Sequence, residues 1–230
     1  LAMWKGVAAA FDELGRDRAV RGIILTGAGG NFSVGADIIE FANVRNSAAA
    51  VSEYERAVDG SGTSIMAVPK PTIAMIDGYG LGGGCHLALA CDFRFARPGA
   101  VLGIPAARLS IVYGVGSTQR LLALVGLSEA KRILFSARQI KADEALRIGL
   151  VDRIEDDAMA AARAFALEMA DNAPLSIAGS KKILDGLTGG PGVLDLKEID
   201  ATIVQAMTSR DYAEGRQAFT EKRRPKFTGE

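Results

Sequence analysis

The segment Gly78-Tyr79-Gly80-Leu81-Gly82-Gly83-Gly84 limits what this chain can fold into more than any other. Before it stands Thr72-Ile73-Ala74-Met75-Ile76, short, apolar and rich in branched side chains, which reads as a buried strand. After it, Cys85 to about Ala90 reads as a compact apolar helix. Strand, glycine turn and helix in succession predict an α/β core. The start of a helix leaves backbone N–H groups without intrahelical partners. The helix dipole adds positive potential there, and glycine lets a ligand approach the backbone closely.

A second segment repeats the pattern. Gly22-Ile23-Ile24-Leu25-Thr26 reads as a strand and Gly27-Ala28-Gly29-Gly30-Asn31 as a loop. Asn31-Phe32-Ser33-Val34-Gly35-Ala36-Asp37-Ile38 then leads into an expected helix with Ile38, Ile39 and Phe41 inward. Two such loops facing each other supply two convergent N–H donors, an arrangement suited to an oxyanion rather than a diphosphate. The competing reading is close packing alone. A dinucleotide site fits poorly, because Gly80-x-Gly82-x-x-Cys85 lacks the last glycine of that fingerprint.

Elsewhere, Trp4, Val7, Phe11 and Leu14 recur at helical spacing. Residues 43–64 read as a surface helix broken by Pro69-Lys70-Pro71, and residues 92–96 and 101–104 as two further strands. Beyond about residue 117 the chain turns helical, and Ala142 to Ile148 is a helix closed by Gly149. Ala158, Ala162, Phe165, Ala166 and Met169 form one apolar stripe, and Leu196, Ile199, Ile203 and Met207 another. The expected division is a core over residues 1–137 and a strand-free helical region over 138–230.

Lys+Arg and Asp+Glu are 27 each, so no basic footprint points to nucleic acid. His86 is the single histidine and there is no Cys-x-x-Cys, so no metal site is expected. Apolar runs fall short of the roughly 20 residues that span a bilayer. Cys85 and Cys91 read as buried free thiols, about 240° apart around a helix, which suits a reducing, cytoplasmic setting. The opening Leu1-Ala2-Met3-Trp4 has no initiator Met at position 1 and resembles neither a signal nor a transit peptide.

Taken together, Phe32-Ser33-x-Gly35-Ala36-Asp37-Ile38, Gly78-Tyr79-x-Leu81-Gly82-Gly83-Gly84-Cys85 and Cys91-Asp92 resemble the crotonase superfamily, the enoyl-CoA hydratase/isomerase family. The resemblance runs on through Gly116-Ser117-Thr118-Gln119-Arg120-Leu121 and Ala145-x-x-x-Gly149-Leu150-Val151 to Phe219-Thr220-Glu221-Lys222-Arg223. It implies a ββα spiral core with a C-terminal helical trimerisation region, and a homotrimer or dimer of trimers. It implies acyl-CoA as the partner, with coenzyme A entering as a thioester substrate and no tightly bound cofactor. By motif match the thioester oxygen is held by the backbone N–H groups of Ala36 and Gly83. Contacts to CoA or the acyl group are expected from Ala36, Asp37, Ile38, Gly82, Gly83, Ala106, Tyr113, Phe219 and Lys222.

The chain departs from the family where its hydratases carry two water-activating glutamates. One position holds His86 and the other, after Pro105, holds Ala106. His86 is the one plausible acid/base, with the helix dipole expected to depress its pKa. Arg108, Ser110 and Tyr113 follow in the same loop as further polar groups. A thioester enolate leads to hydration, double-bond isomerisation or decarboxylation, which the sequence does not separate. The alternative is a catalytically weak or inactive acyl-CoA-binding trimeric scaffold.

Overall fold

The structure is a computed structural model of the 230-residue chain and describes residues 1–38, 46–189 and 193–230. Four short strands lie side by side and parallel in the order β1 (Ile23–Thr26), β2 (Thr72–Ile76), β4 (Phe93–Ala96) and β7 (Arg153–Ile154). A second sheet is built from β3 (Tyr79–Leu81), β5 (Val101–Gly103) and β6 (Gln139–Lys141), with β3 parallel to β5 and β6 antiparallel to it. The chain leaves one strand in each sheet and then turns into a helix. Thus β2 and β3 lead to α3 (Gly83–Ala90), and β4 and β5 lead through a 3₁₀ turn (Pro105–Leu109) to α4 (Val115–Ser136). Ser33 repeats the step in miniature, bridging in parallel to Gly80. This is the ββα spiral that the motifs implied.

The central strand β2 is buried on both faces, as a parallel strand covered on both sides must be. Helix α6 (Ala158–Ala170) covers one face of the first sheet, setting Ala162, Phe165 and Met169 on Ile73 and Phe95. The Phe165 ring meets Phe93 edge-on at 4.9 Å and stacks on Phe95 at 5.6 Å. On the site side, α1 (Ala2–Arg16) buries Trp4 and Phe11 in the main core beside α2 (Ala48–Ala67). Trp4 Nε1 donates to the Tyr54 hydroxyl at 2.9 Å, fixing the indole in place.

Buried ions hold the layers together. Arg94, 1% exposed, pairs with Asp152 at 2.8 Å and donates to the carbonyls of Leu150 at 3.0 Å and Cys91 at 2.9 Å. Asp92 accepts from Thr72 N at 2.8 Å and from Lys181 at 2.9 Å, tying α7 (Pro174–Thr188) to the first sheet. A buried charge is tolerated where its hydrogen bonds are met.

Four expectations are corrected. The region from 138 is not strand-free, since β6 pairs with β5 and β7 with β4, and short α5 (Ala142–Arg147) lies between them. Strands of two and three residues are too short for a period to show in sequence. The surface helix expected over 43–64 has other bounds and one buried face: α2 starts at a Ser47 cap, runs to Ala67 and buries Tyr54, Ser61, Gly62 and Ile65, with its other side at the surface. Part of the glycine-rich turn, Tyr79–Leu81, is strand. Ile38 is 57% exposed rather than inward, and Ile39 and Phe41 lie outside the described residues.

The remaining helices, α8 (Leu196–Met207) and α9 (Arg210–Glu221), follow α7. Of the second apolar stripe only Ile199 is buried, while Leu196, Ile203 and Met207 face out. Cys85 and Cys91 are buried free thiols, and burial pushes each thiol pKa up to about 12.

Candidate active site

The two glycine-containing loops touch. Ser33 N donates to Tyr79 O and Leu81 N to Ser33 O, each at 2.9 Å, zipping one loop to the other. Beyond this ladder the backbones are closer than side chains permit. A Cβ at Gly35 would lie 2.6 Å from Gly83 N, one at Gly84 would lie 2.1 Å from Ser33 O, and one at Gly83 would lie 2.5 Å from the Trp4 ring. Gly35 and Gly82 also take φ of +86° and +53°, a region natural only to glycine. Gly82 N donates to Gly103 O at 2.8 Å, which anchors the turn to β5. The N–H groups of Ala36 and Gly83 have no acceptor among the described residues.

A cavity of about 140 Å³ opens beside these donors. Ala36, Ile38, Gly82, Gly83, His86, Ala106 and Tyr113 all line it, as their sequence assignment to one site requires. Asp37 is exposed next to Ala36 and outside this lining. Phe219 is 87% exposed on α9 and Lys222 caps that helix on the surface, so within one chain neither reaches the cavity. Arg108 and Ser110 are exposed and also lie outside it. Four larger hollows among the described residues, of about 650, 840, 580 and 170 Å³, contain neither glycine loop. The small cavity is the candidate site because both glycine loops and the titratable His86, Glu55, Asp59 and Tyr113 line it, which matters more than size.

His86 is 6% exposed. Its Nε2 lies 3.0 Å from the Val58 carbonyl, which can only accept, so Nε2 carries the hydrogen. Nδ1 is then the basic nitrogen, and it accepts from the Ser117 hydroxyl. Burial lowers the His86 pKa, opposed by the Val58 carbonyl and by Asp59. The expected direction holds, but the first cause is burial rather than the helix dipole. The ring fits because Gly62 has no side chain: a Cβ there would lie 2.7 Å from His86 Cε1 and Nε2. Tyr113 donates weakly to Gly82 O at 3.5 Å, and burial raises its phenol pKa well above the usual value.

Sequence reasoning missed Ser117, Glu55 and Asp59, all of which line the cavity. Glu55 and Asp59 sit one turn apart on α2 and share a helix face. Glu55 is half-buried and Asp59 exposed, so in sequence neither stood out from the other charges of that helix. Ser117 stood inside a family motif and carried no signal of its own beside the histidine, which is distant in sequence.

The pattern that defines the enoyl-CoA hydratase/isomerase family matches residues 1–230. The short-chain-enoyl-CoA hydratase of Clostridium acetobutylicum is 36% identical over 218 residues, covering 92% of this chain and 82% of its own. The human mitochondrial enoyl-CoA hydratase domain-containing protein 2 is 37% identical over 224 residues, covering 94% of this chain and 76% of its own. The crystal structure of an enoyl-CoA hydratase/carnithine racemase from Magnetospirillum magneticum superposes with a TM-score of 0.92 at 36% identity, covering 100% of this chain and 86% of that one.

Gly62→Ala tests the seat of the histidine. Alanine gains about 1 kcal/mol over glycine in a helix, whereas overpacking costs about 1–3 kcal/mol. Urea unfolding is expected to show a net loss of stability, and a gain would mean the imidazole has room to spare.

Proposed function

Because the chain belongs to the enoyl-CoA hydratase/isomerase family, we propose that it holds an acyl-CoA thioester oxygen between the N–H groups of Ala36 and Gly83 and stabilises the enolate. The observation that carries this reading is the pair of N–H groups that have no acceptor among the described residues, on two residues that line one cavity. An α-proton of a thioester is too weakly acidic for a side-chain base unaided. Two preorganised donors strengthen as charge develops on the oxygen, and each such donor is worth about 2.7–4 kcal/mol in other enzymes. The cavity of about 140 Å³ is small beside the roughly 300–1,000 Å³ of a pocket for a drug-sized ligand, which suits the thioester and a short acyl head, with the nucleotide outside.

His86 is the acid/base of this reading. Burial keeps the ring neutral near pH 7 and able to accept a proton. Both ring nitrogens are already engaged, so the proton path from Nδ1 to the cavity runs through the Ser117 hydroxyl. One base serves a 1,3-proton shift, or protonation of the enolate left by decarboxylation, more directly than it serves hydration by two carboxylates. Ala106 contributes space alone. Coenzyme A arrives with the substrate, and the free, buried cysteines favour a reducing compartment such as the cytoplasm.

A homotrimer is part of the same proposal. Leu184 and Leu187 on α7 and Leu196, Ile203 and Met207 on α8 are exposed in the single chain, a surface suited to burial between subunits. Sedimentation velocity is expected to give three chains, or six for a dimer of trimers. A stable monomer would reject it.

Hydrogen exchange at the α-carbon of butyryl-CoA in D₂O tests the enolate. Wild type is expected to exchange, and His86→Ala to lose exchange by about 10²-fold or more, the usual contribution of a general base, while still binding the thioester. Binding without exchange in the wild type would leave a scaffold.

A further inference from the structure

We propose that Ser117 is a nucleophile activated by His86, and that the same cavity cleaves acyl-CoA thioesters to a carboxylic acid and free CoA. The proposal rests on the acyl-CoA reading above but adds a covalent activity to it. It follows from a juxtaposition within one small space. Ser117 Oγ donates to His86 Nδ1, His86 Nε2–H is held by the Val58 carbonyl at 3.0 Å, and both side chains line the cavity walled by Ala36 and Gly83. A nucleophile, a base with its tautomer fixed by a third group, and two backbone donors beside them are the parts that acyl transfer needs.

Each part is built rather than incidental. Ser117 is 7% exposed near the start of α4 and meets solvent through the cavity. The Val58 carbonyl stands where a triad carboxylate would, orienting the ring without carrying charge. Gly62 leaves the space that lets the ring reach that carbonyl. Asp59 lines the same cavity and its charge favours the imidazolium that forms when Nδ1 takes a proton.

The steps balance. Ser117 Oγ forms a bond to the thioester carbon as its proton moves to His86 Nδ1, and the carbonyl oxygen becomes an oxyanion facing the Ala36 and Gly83 N–H groups. The carbonyl re-forms, the C–S bond breaks, and the departing CoA sulfur takes the proton from Nδ1. Water then attacks the seryl ester and passes a proton to Nδ1. Collapse of the second oxyanion returns that proton to Ser117 Oγ and releases the acid. No oxidant, reductant or further reactant is required.

The test mixes the full-length protein with butyryl-CoA. It follows thiol release, the mass of the acid-quenched protein, and α-carbon exchange in D₂O in parallel. Wild type is expected to release thiol and to carry one butyryl group, mapped by peptide fragmentation to Ser117. Ser117→Ala is expected to release thiol at least about 10³-fold more slowly, as loss of a nucleophile does elsewhere, while keeping the wild-type circular dichroism spectrum. Ser117→Cys should accumulate the acyl adduct, which separates loss of a nucleophile from loss of a fold. Exchange without thiol release or adduct in the wild type overturns the nucleophile and spares the enolate. Thiol release within tenfold of wild type in Ser117→Ala also overturns it. Absence of thiol release, exchange and saturable binding together rejects the acyl-CoA reading itself.

Discussion

The contact between two backbones is the constraint on which the site depends. Gly35 lies against Gly83, and Gly84 against Ser33, at separations where no Cβ can be placed. That approach sets the Ala36 and Gly83 amides at one cavity wall. Gly83 stands in the first turn of α3, where backbone N–H groups lack intrahelical acceptors and the helix dipole adds positive potential. Everything else supports this contact. The Ser33–Gly80 bridge holds one loop, the Gly82–Gly103 bond holds the other, and Trp4, pinned by Tyr54, presses on Gly83.

A backbone site of this kind can keep its binding function while its side chains change. By the sequence resemblance, His86 and Ala106 stand where the family's hydratases carry glutamates, and the other polar groups at the cavity come from other elements. Ser117 comes from α4, and Glu55 and Asp59 from α2. The histidine is not a carboxylate in another guise. It is buried, neutral and doubly hydrogen-bonded, and it faces the cavity through a hydroxyl. In the proposed reading, that environment favours proton transfer through Ser117 over direct activation of water.

Much of the architecture was legible in the sequence because strong local signals mark it. Branched runs at 22–26 and 72–76 marked β1 and β2, glycines marked the loops, and the stripe from Ala158 to Met169 marked the helix that covers the sheet. Short strands such as β6 and β7 were not legible, since two or three residues carry no periodicity and pair only because the spiral brings an edge to them. Within the site, the glycine loops could be read from their place between strand and helix, and His86 from the family resemblance. The His86–Ser117 pair could not, because it joins residues 31 positions apart on two helices. Its only local trace is Gly62, a helical glycine on a third element that leaves space for the ring.

The most direct measurement is the carbonyl stretch of butyryl-CoA carrying ¹³C at the thioester carbon, recorded by difference infrared spectroscopy on the bound complex. Two N–H groups converging on the oxygen should lower the frequency relative to free thioester, and the lowering should persist in His86→Ala because the donors are backbone. A bound thioester with an unshifted carbonyl would contradict the oxyanion site formed by Ala36 and Gly83.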